Sequence, residues 1–194
     1  MKYPSPADIA EMKARGYDPT TIAEAERQIA EAQRKEERRP LAEAVCQDIE
    51  TAFSGVTLGS GVGLTEAGGL DDYADAATLA AYRANDEKED WRLIPAEALQ
   101  RCNSSLSFFD AEGMRFHLPA YLLAELRDEY GFGVTFCLTH LSEHCVSQFA
   151  LFSSAQRAAV RAFLLHILDD PDEQFHRSDI VRALNEYWTD AAAS

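Results

Sequence analysis

The chain has 194 residues, of which 46% are hydrophobic, which suits one domain or one domain plus an appendage and excludes disorder throughout. Thirty-three acidic against eighteen basic side chains give a net charge of −15, which opposes a phosphate backbone and an anionic membrane surface alike. No apolar run approaches the roughly 20 residues of a membrane span. Met1-Lys2-Tyr3-Pro4 leads into a polar segment with no signal-peptide core, and Cys46, Cys102, Cys137 and Cys145 are too few and irregular for a disulfide scaffold, so the expected address is cytoplasmic with reduced thiols.

In chain order, Ser5-Pro6-Ala7-Asp8 places a side-chain acceptor before a proline at a first helical position, and Gly16 is placed to end that helix near Arg15. Asp18-Pro19 repeats the arrangement and opens TTIAEAERQIAEAQRKEERR, whose apolar stripe of Ile22, Ala25, Ile29 and Ala32 is narrow. Such a stripe needs the body of the protein, another subunit or a partner to cover it. Pro40 is expected to interrupt, with a third helix following through Leu41, Ala44, Val45, Ile49 and Phe53 to Gly55. The next stretch, GVTLGSGVGLTEAGGLDDYADA, holds six of the ten glycines. Gly59-x-Gly61-x-Gly63 lacks a nearby lysine and a preceding strand, so a loop lying close to other backbone is expected rather than a phosphate cradle.

Asp71-Asp72-Tyr73 and Asp86-Glu87-Lys88-Glu89-Asp90-Trp91 are the densest acidic patches. Neither has EF-hand spacing; Leu79, Tyr82 and Trp91 are expected to face the core, with the acids facing water or helix N-termini. Pro95 opens a short helix from Ala96 to Cys102. The stretch from Ser104 to Leu126 reads as a hairpin followed by a helix. Leu106, Phe108 and Phe109 precede the turn residues Asp110-Ala111-Glu112-Gly113, then Met114, Phe116 and Leu118 alternate with Arg115 and His117, and Pro119 suits the first turn of a helix through Tyr121, Leu122, Leu123 and Leu126. Arg115 and His117, with Asp110 or Glu112, are expected on the wet face of the sheet.

After Gly131-Phe132-Gly133, Val134 to Leu138 reads as a third strand, and Phe149, Leu151 and Phe152 suggest a further short one. Between them, His140 and His144 would share a face if helical, with Cys137 a turn earlier and Cys145 adjacent; zinc accepts such donors, although the order is not HExxH and the cysteines form no CxxC pair. Ser153 with Gln156 forms a capping-box pattern before Val160, Phe163, Leu164 and Ile167, and Asp169-Asp170-Pro171 ends that helix. A last helix near Ser178 to Trp188 puts Ile180, Val181, Leu184 and Trp188 on one side, and Thr189 to Ser194 are expected to fray. No G-x-S-x-G elbow occurs, and Ser104 and Ser105 have no His and Asp nearby in sequence.

GVTLGSGVGLTEAGGLDDYAD, DEKEDW with the following LIP, CNSSLSFFDAEGMRFHLPAYLLAEL and FALFSSAQRAAVRAFLLHI together resemble an uncharacterised bacterial domain-of-unknown-function family, over roughly Leu41 to Trp188. The resemblance implies no catalytic set. By analogy with small bacterial families of this type, it implies an immunity-protein-like role, binding and silencing a cognate toxin.

The expected fold is α+β, mostly helical, with a small antiparallel sheet of about three strands packed by helices on one side. Residues 1–39 form an N-terminal helical arm and 40–190 a single α+β domain. The expected function is non-catalytic protein binding, as an immunity-type protein that neutralises a basic toxin through an acidic surface. Asp71, Asp72, Asp86, Glu87, Glu89 and Asp90 are the expected negative patch, with Ile22 and Ile29 as a second contact. No cofactor, nucleic acid or membrane is expected. Competing readings are a metal-assisted hydrolase using His140 and His144, with Cys137 and Cys145 as further donors, and a scaffold that self-associates through the Thr20 to Arg38 helix.

Overall fold

The computed structural model describes residues 4–171 and 174–189 and is all-α: ten α-helices and two short 3₁₀ turns, with no strand among the described residues. The residues expected to fray lie, from Asp190 onward, outside the described residues. Two compact units divide at Glu43 and Ala44.

In the first unit, α1 (Pro6–Ala14) starts at a capping box in which Ser5 accepts from the Asp8 N–H and Asp8 accepts from the Ser5 N–H. It ends where Gly16 takes φ +71°, as its cap residues imply. Asp18 accepts from the Thr21 N–H and opens α2 (Pro19–Ala52). Ile9 of α1 and Ala25 of α2 are buried, and a 2.7 Å Lys13–Glu26 ion pair ties the two helices together. Ile22 and Ile29 are half-buried. The expected break at Pro40 does not occur, because α2 runs through it. A proline removes one helical hydrogen bond, while Ala, Glu, Gln and Arg on either side favour helix.

In the second unit, the last turns of α2 supply Val45 and Ile49 to the core, and Phe53 follows directly. α3 (Leu64–Asp71) and α4 (Ala76–Asn85) form a helical hairpin, followed by the 3₁₀ turn 91–93, α5 (Ala96–Arg101) and the 3₁₀ turn 103–107. The organising element is α6 (Ala111–Leu126), in which every residue from Gly113 to Ala124 except Arg115 is buried. α5, the 91–93 turn and α8 (Glu143–Gln148) pack against it. α7 (Thr135–Thr139), α9 (Ser154–Leu168) and α10 (Arg177–Glu186) complete the unit, with Trp188 fully buried and its indole N–H donating to the Leu138 carbonyl at 2.8 Å. Ser153 and Gln156 form the capping box that starts α9.

The three-strand sheet is absent, and each expected strand has a helical explanation. Asp110 is the N-cap of α6, its carboxylate accepting from the Gly113 N–H at 2.8 Å, so the residues read as a hairpin turn are a helix start. Met114, Phe116 and Leu118 do not alternate with a wet face, since His117 is fully buried and Arg115 half-buried between them. A helix buried on all sides carries no polar stripe, so its period is ambiguous in sequence. Pro119 lies mid-helix, not in a first turn. The first arm is the 3₁₀ turn 103–107, Val134–Leu138 enters α7, and Phe149–Phe152 is a turn.

Candidate functional site

The glycine-rich loop, α3, α4 and the start of α6 converge on one polar network. Arg83 of α4 donates to the Gly61 carbonyl and, at 2.9 Å, to the Gly59 carbonyl, and pairs with Glu66 at 3.4 Å. Asp110 accepts from the Val62 N–H at 3.0 Å as well as from Gly113, and Glu112 accepts from the Ser60 hydroxyl at 2.5 Å. The loop lies close to other backbone, as expected: a Cβ on Gly61 would stand 2.5 Å from the Gly113 nitrogen, and one on Gly63 would overlap the Asp86 carboxylate. Arg83 was invisible to sequence reading because its acceptors are carbonyls more than twenty residues away.

The DEKEDW run closes this network. Asp86 is buried and accepts from the Thr65 N–H, the Thr65 hydroxyl and the Glu66 N–H at 2.9, 2.8 and 3.2 Å, which caps the start of α3. The Glu87 carboxylate accepts three successive N–H groups, from Lys88, Glu89 and Asp90, and those of Glu89 and then Asp90 hold it below the usual carboxylate range. The Lys88 ammonium donates to the Ala84 and Asp86 carbonyls, its own carbonyl accepts from the Leu58 N–H, and the Trp91 indole donates to the Phe53 carbonyl at 3.0 Å. Asp90 is bound to the Arg92 guanidinium at 2.8 and 2.9 Å. Three of the four acids in this run therefore do internal structural work, and Glu89 alone points away from any partner among the described residues.

The other acidic patch is different. Asp71 and Asp72 are exposed and make no side-chain hydrogen bond or ion pair among the described residues. Next to them Tyr73 is 94% exposed and has φ +55°. Its backbone explains the angle. The Ala74 N–H reaches the Gly69 carbonyl at 2.9 Å and the Tyr73 N–H reaches the Leu70 carbonyl at 3.2 Å, so Tyr73 occupies the left-handed position of a Schellman motif, where glycine is the usual residue. Leu70 and Tyr82 are also exposed, and α4 contributes no buried residue. Tyr82 and Leu79 lie over Gly69, which is how α4 is held against α3. Tyr82 thus faces solvent more than the core position expected for it, whereas Trp91 is buried as expected.

The histidine and cysteine segment is divided between two helices. Cys137 is on α7, His140 follows that helix, stacked on Phe136 at 5.1 Å, and His144 and Cys145 are on α8. The His144 ring Nε2 lies 3.0 Å from the Ser107 carbonyl, and the Cys145 thiol accepts from the Ser142 hydroxyl. Burial, with the neighbouring Cys145, pushes the Cys137 thiol up to about 12. Among the described residues no three His, Cys, Asp or Glu side chains are arranged to hold a metal.

His117 is not on a wet face. Its ring stacks on Phe109 at 4.4 Å with an interplanar angle of 1°, its Nδ1 lies 2.8 Å from the Gly113 carbonyl, and its Nε2 has no hydrogen-bond partner among the described residues. Burial lowers its pKa to about 4, against smaller upward contributions from the Gly113 hydrogen bond and the charges of Asp86 and Asp110.

One cleft, of about 120 Å³, opens beside α6. Trp91, Ile94, Leu99, Ala120, Leu123 and Ala124 form its apolar lining, and Glu50, Arg92, Arg127 and Glu129 its charged rim. Among the described residues no helix is long and apolar enough to cross a membrane.

No curated protein and no solved structure matches the chain. The family model that does match covers residues 41–192, most of the length and all of the network described above, so the chain belongs to DUF6714, a family of unknown function.

Proposed function

We propose that this chain is a non-catalytic protein-binding protein of immunity type, whose α3–α4 turn receives a basic protein partner such as a toxin domain. The observation that carries the reading is Tyr73. A left-handed backbone costs an L-residue about 1–2 kcal/mol relative to the right-handed form, and this tyrosine makes up none of that cost by packing, since its ring is almost wholly in water. Exposed tyrosines are preferred anchors at protein interfaces, and strained backbone clusters at functional sites. Asp71 and Asp72 stand beside it with no cation paired to them among the described residues, which suits a positively charged partner and fast, salt-sensitive association.

The patch is narrower than composition implies. Asp86, Glu87 and Asp90 are committed to the fold, so the acids that would face a partner are Asp71 and Asp72, with Glu89 apart from them. The test is affinity capture from the source organism with the tagged wild-type chain and with Tyr73→Ala and Asp71→Asn/Asp72→Asn side by side. A stoichiometric basic protein held by the wild type, released as salt rises and not retained by the variants, is the expected result. A basic protein retained equally by all three chains would place the contact elsewhere and overturn the reading.

A further inference from the structure

We propose that the cleft beside α6 is a binding site for a primary alkylammonium group carried on a short aliphatic chain. The site lies apart from the α3–α4 turn, and the inference does not depend on the protein-binding reading.

The rim charges decide the sign of the ligand. Arg127 pairs with Glu50 at 3.0 Å, and Arg92 is bound to Asp90 through two hydrogen bonds, so both rim arginines already carry carboxylates. Glu129 also lines the cleft, is exposed, and has neither a hydrogen bond from its side chain nor an ion pair among the described residues. Once the pairs are taken together, one negative charge is left, and an anionic ligand would meet it as well as arginines whose charge the carboxylates Glu50 and Asp90 already balance. A cation meets Glu129 directly. The overall charge of −15 biases the site the same way.

The walls decide the body of the ligand. Leu99 and Trp91 form a fixed apolar floor, and Ala120 and Ala124 on successive turns of α6 leave the space that larger side chains would fill. A dry apolar cavity of about 150 Å³ holds benzene, so a cleft of about 120 Å³ accommodates roughly four or five heavy atoms. That is the size of a butyl chain. A butyl chain bearing an ammonium is also the side chain of lysine, so the ligand is either a free amine or a lysine of another protein.

The test is a nuclear magnetic resonance titration of the full chain with n-butylamine at neutral pH, with n-butanol and butyrate in parallel. Saturable shifts at Trp91, Leu123 and Ala124 are expected from the amine, with butanol weaker and butyrate inert. Glu129→Gln, a change at an exposed side chain, should weaken the amine about fivefold, less than a fully desolvated charged hydrogen bond would give, and leave butanol unchanged. Ala124→Leu should abolish both. A titration with Nα-acetyl-lysine methylamide separates the sources: tighter binding than butylamine points to a protein lysine, and weaker binding to a free amine. Absence of saturable shifts in the folded wild type, an unchanged amine affinity in Glu129→Gln, or butyrate binding as well as the amine would overturn the proposal.

Discussion

Replacing Tyr73 by glycine should make the protein more stable and, on the proposed function, weaken its hold on a partner. The left-handed angle of +55° costs a non-glycine residue about 1–2 kcal/mol. The ring is 94% exposed, so its removal forfeits almost no buried area. Glycine's greater freedom in the unfolded chain returns about 0.4–1 kcal/mol of that gain. The net is a stabilisation of about 0.5–1 kcal/mol, which for a chain of this size raises the melting temperature by about 1–4 °C. Tyr73→Ala is the matched control, because alanine keeps the backbone cost while losing the same ring. Thermal and urea unfolding of the three chains measures the difference, with glycine above both alanine and tyrosine, and those two within about 0.5 kcal/mol of each other. Equal stability of the glycine and alanine variants would refute the claim that strain is held at this turn.

Four further outcomes follow from α6 and the loop and helices beside it. His117 is buried neutral with a pKa of about 4, against 6.5 for an ordinary histidine. The unfolded chain therefore binds the extra proton first as pH falls, so the stability due to this site is complete above about pH 6.5 and declines between 6.5 and 4, by about 3 kcal/mol in all. Urea midpoints across that window should show the decline, and His117→Phe, which keeps a ring against Phe109, should flatten it. Gly61→Ala forces a methyl to within 2.5 Å of the Gly113 nitrogen and should cost about 1–3 kcal/mol. Gly68→Ala, whose methyl would meet nothing closer than 3.8 Å, should gain about 0.5–1 kcal/mol as an ordinary helical replacement. Asp86→Asn exchanges one of the two oxygens that cap α3 for a donor facing an N–H, and should lower stability by about 1–2 kcal/mol in the same unfolding experiments.

What the sequence made legible was local. The start of α1 could be read from Ser5 before Pro6, and that of α9 from the capping box Ser153-x-x-Gln156, because both signals involve residues at most three apart. The start of α5 at Pro95 and the loop character of Gly59 to Gly63 were legible for the same reason. α6 was not, because a helix buried over almost all its length shows no clear amphipathic period and its N-cap, Asp110-x-x-Gly113, uses the residue types of a hairpin turn. The site was only half legible. Charge counting found both acidic patches, but what separates them is whether a distant group is bound: Asp86 is engaged by Thr65, twenty-one positions earlier, while the Asp71 and Asp72 side chains have no partner among the described residues. Tyr73 carried one unread signal, a helix end followed by no glycine where a left-handed residue was needed.

The most direct measurement is the affinity of the captured basic partner for the wild-type chain, for Tyr73→Ala and for Asp71→Asn/Asp72→Asn, over salt from roughly 50 to 300 mM. If the α3–α4 turn is the contact, Tyr73→Ala weakens binding by about 2 kcal/mol or more at every salt concentration. The double asparagine variant should then bind more slowly and with a flatter salt dependence than the wild type. Unchanged affinity in Tyr73→Ala together with an unchanged salt slope in the double variant would contradict the assignment of this turn as the binding face.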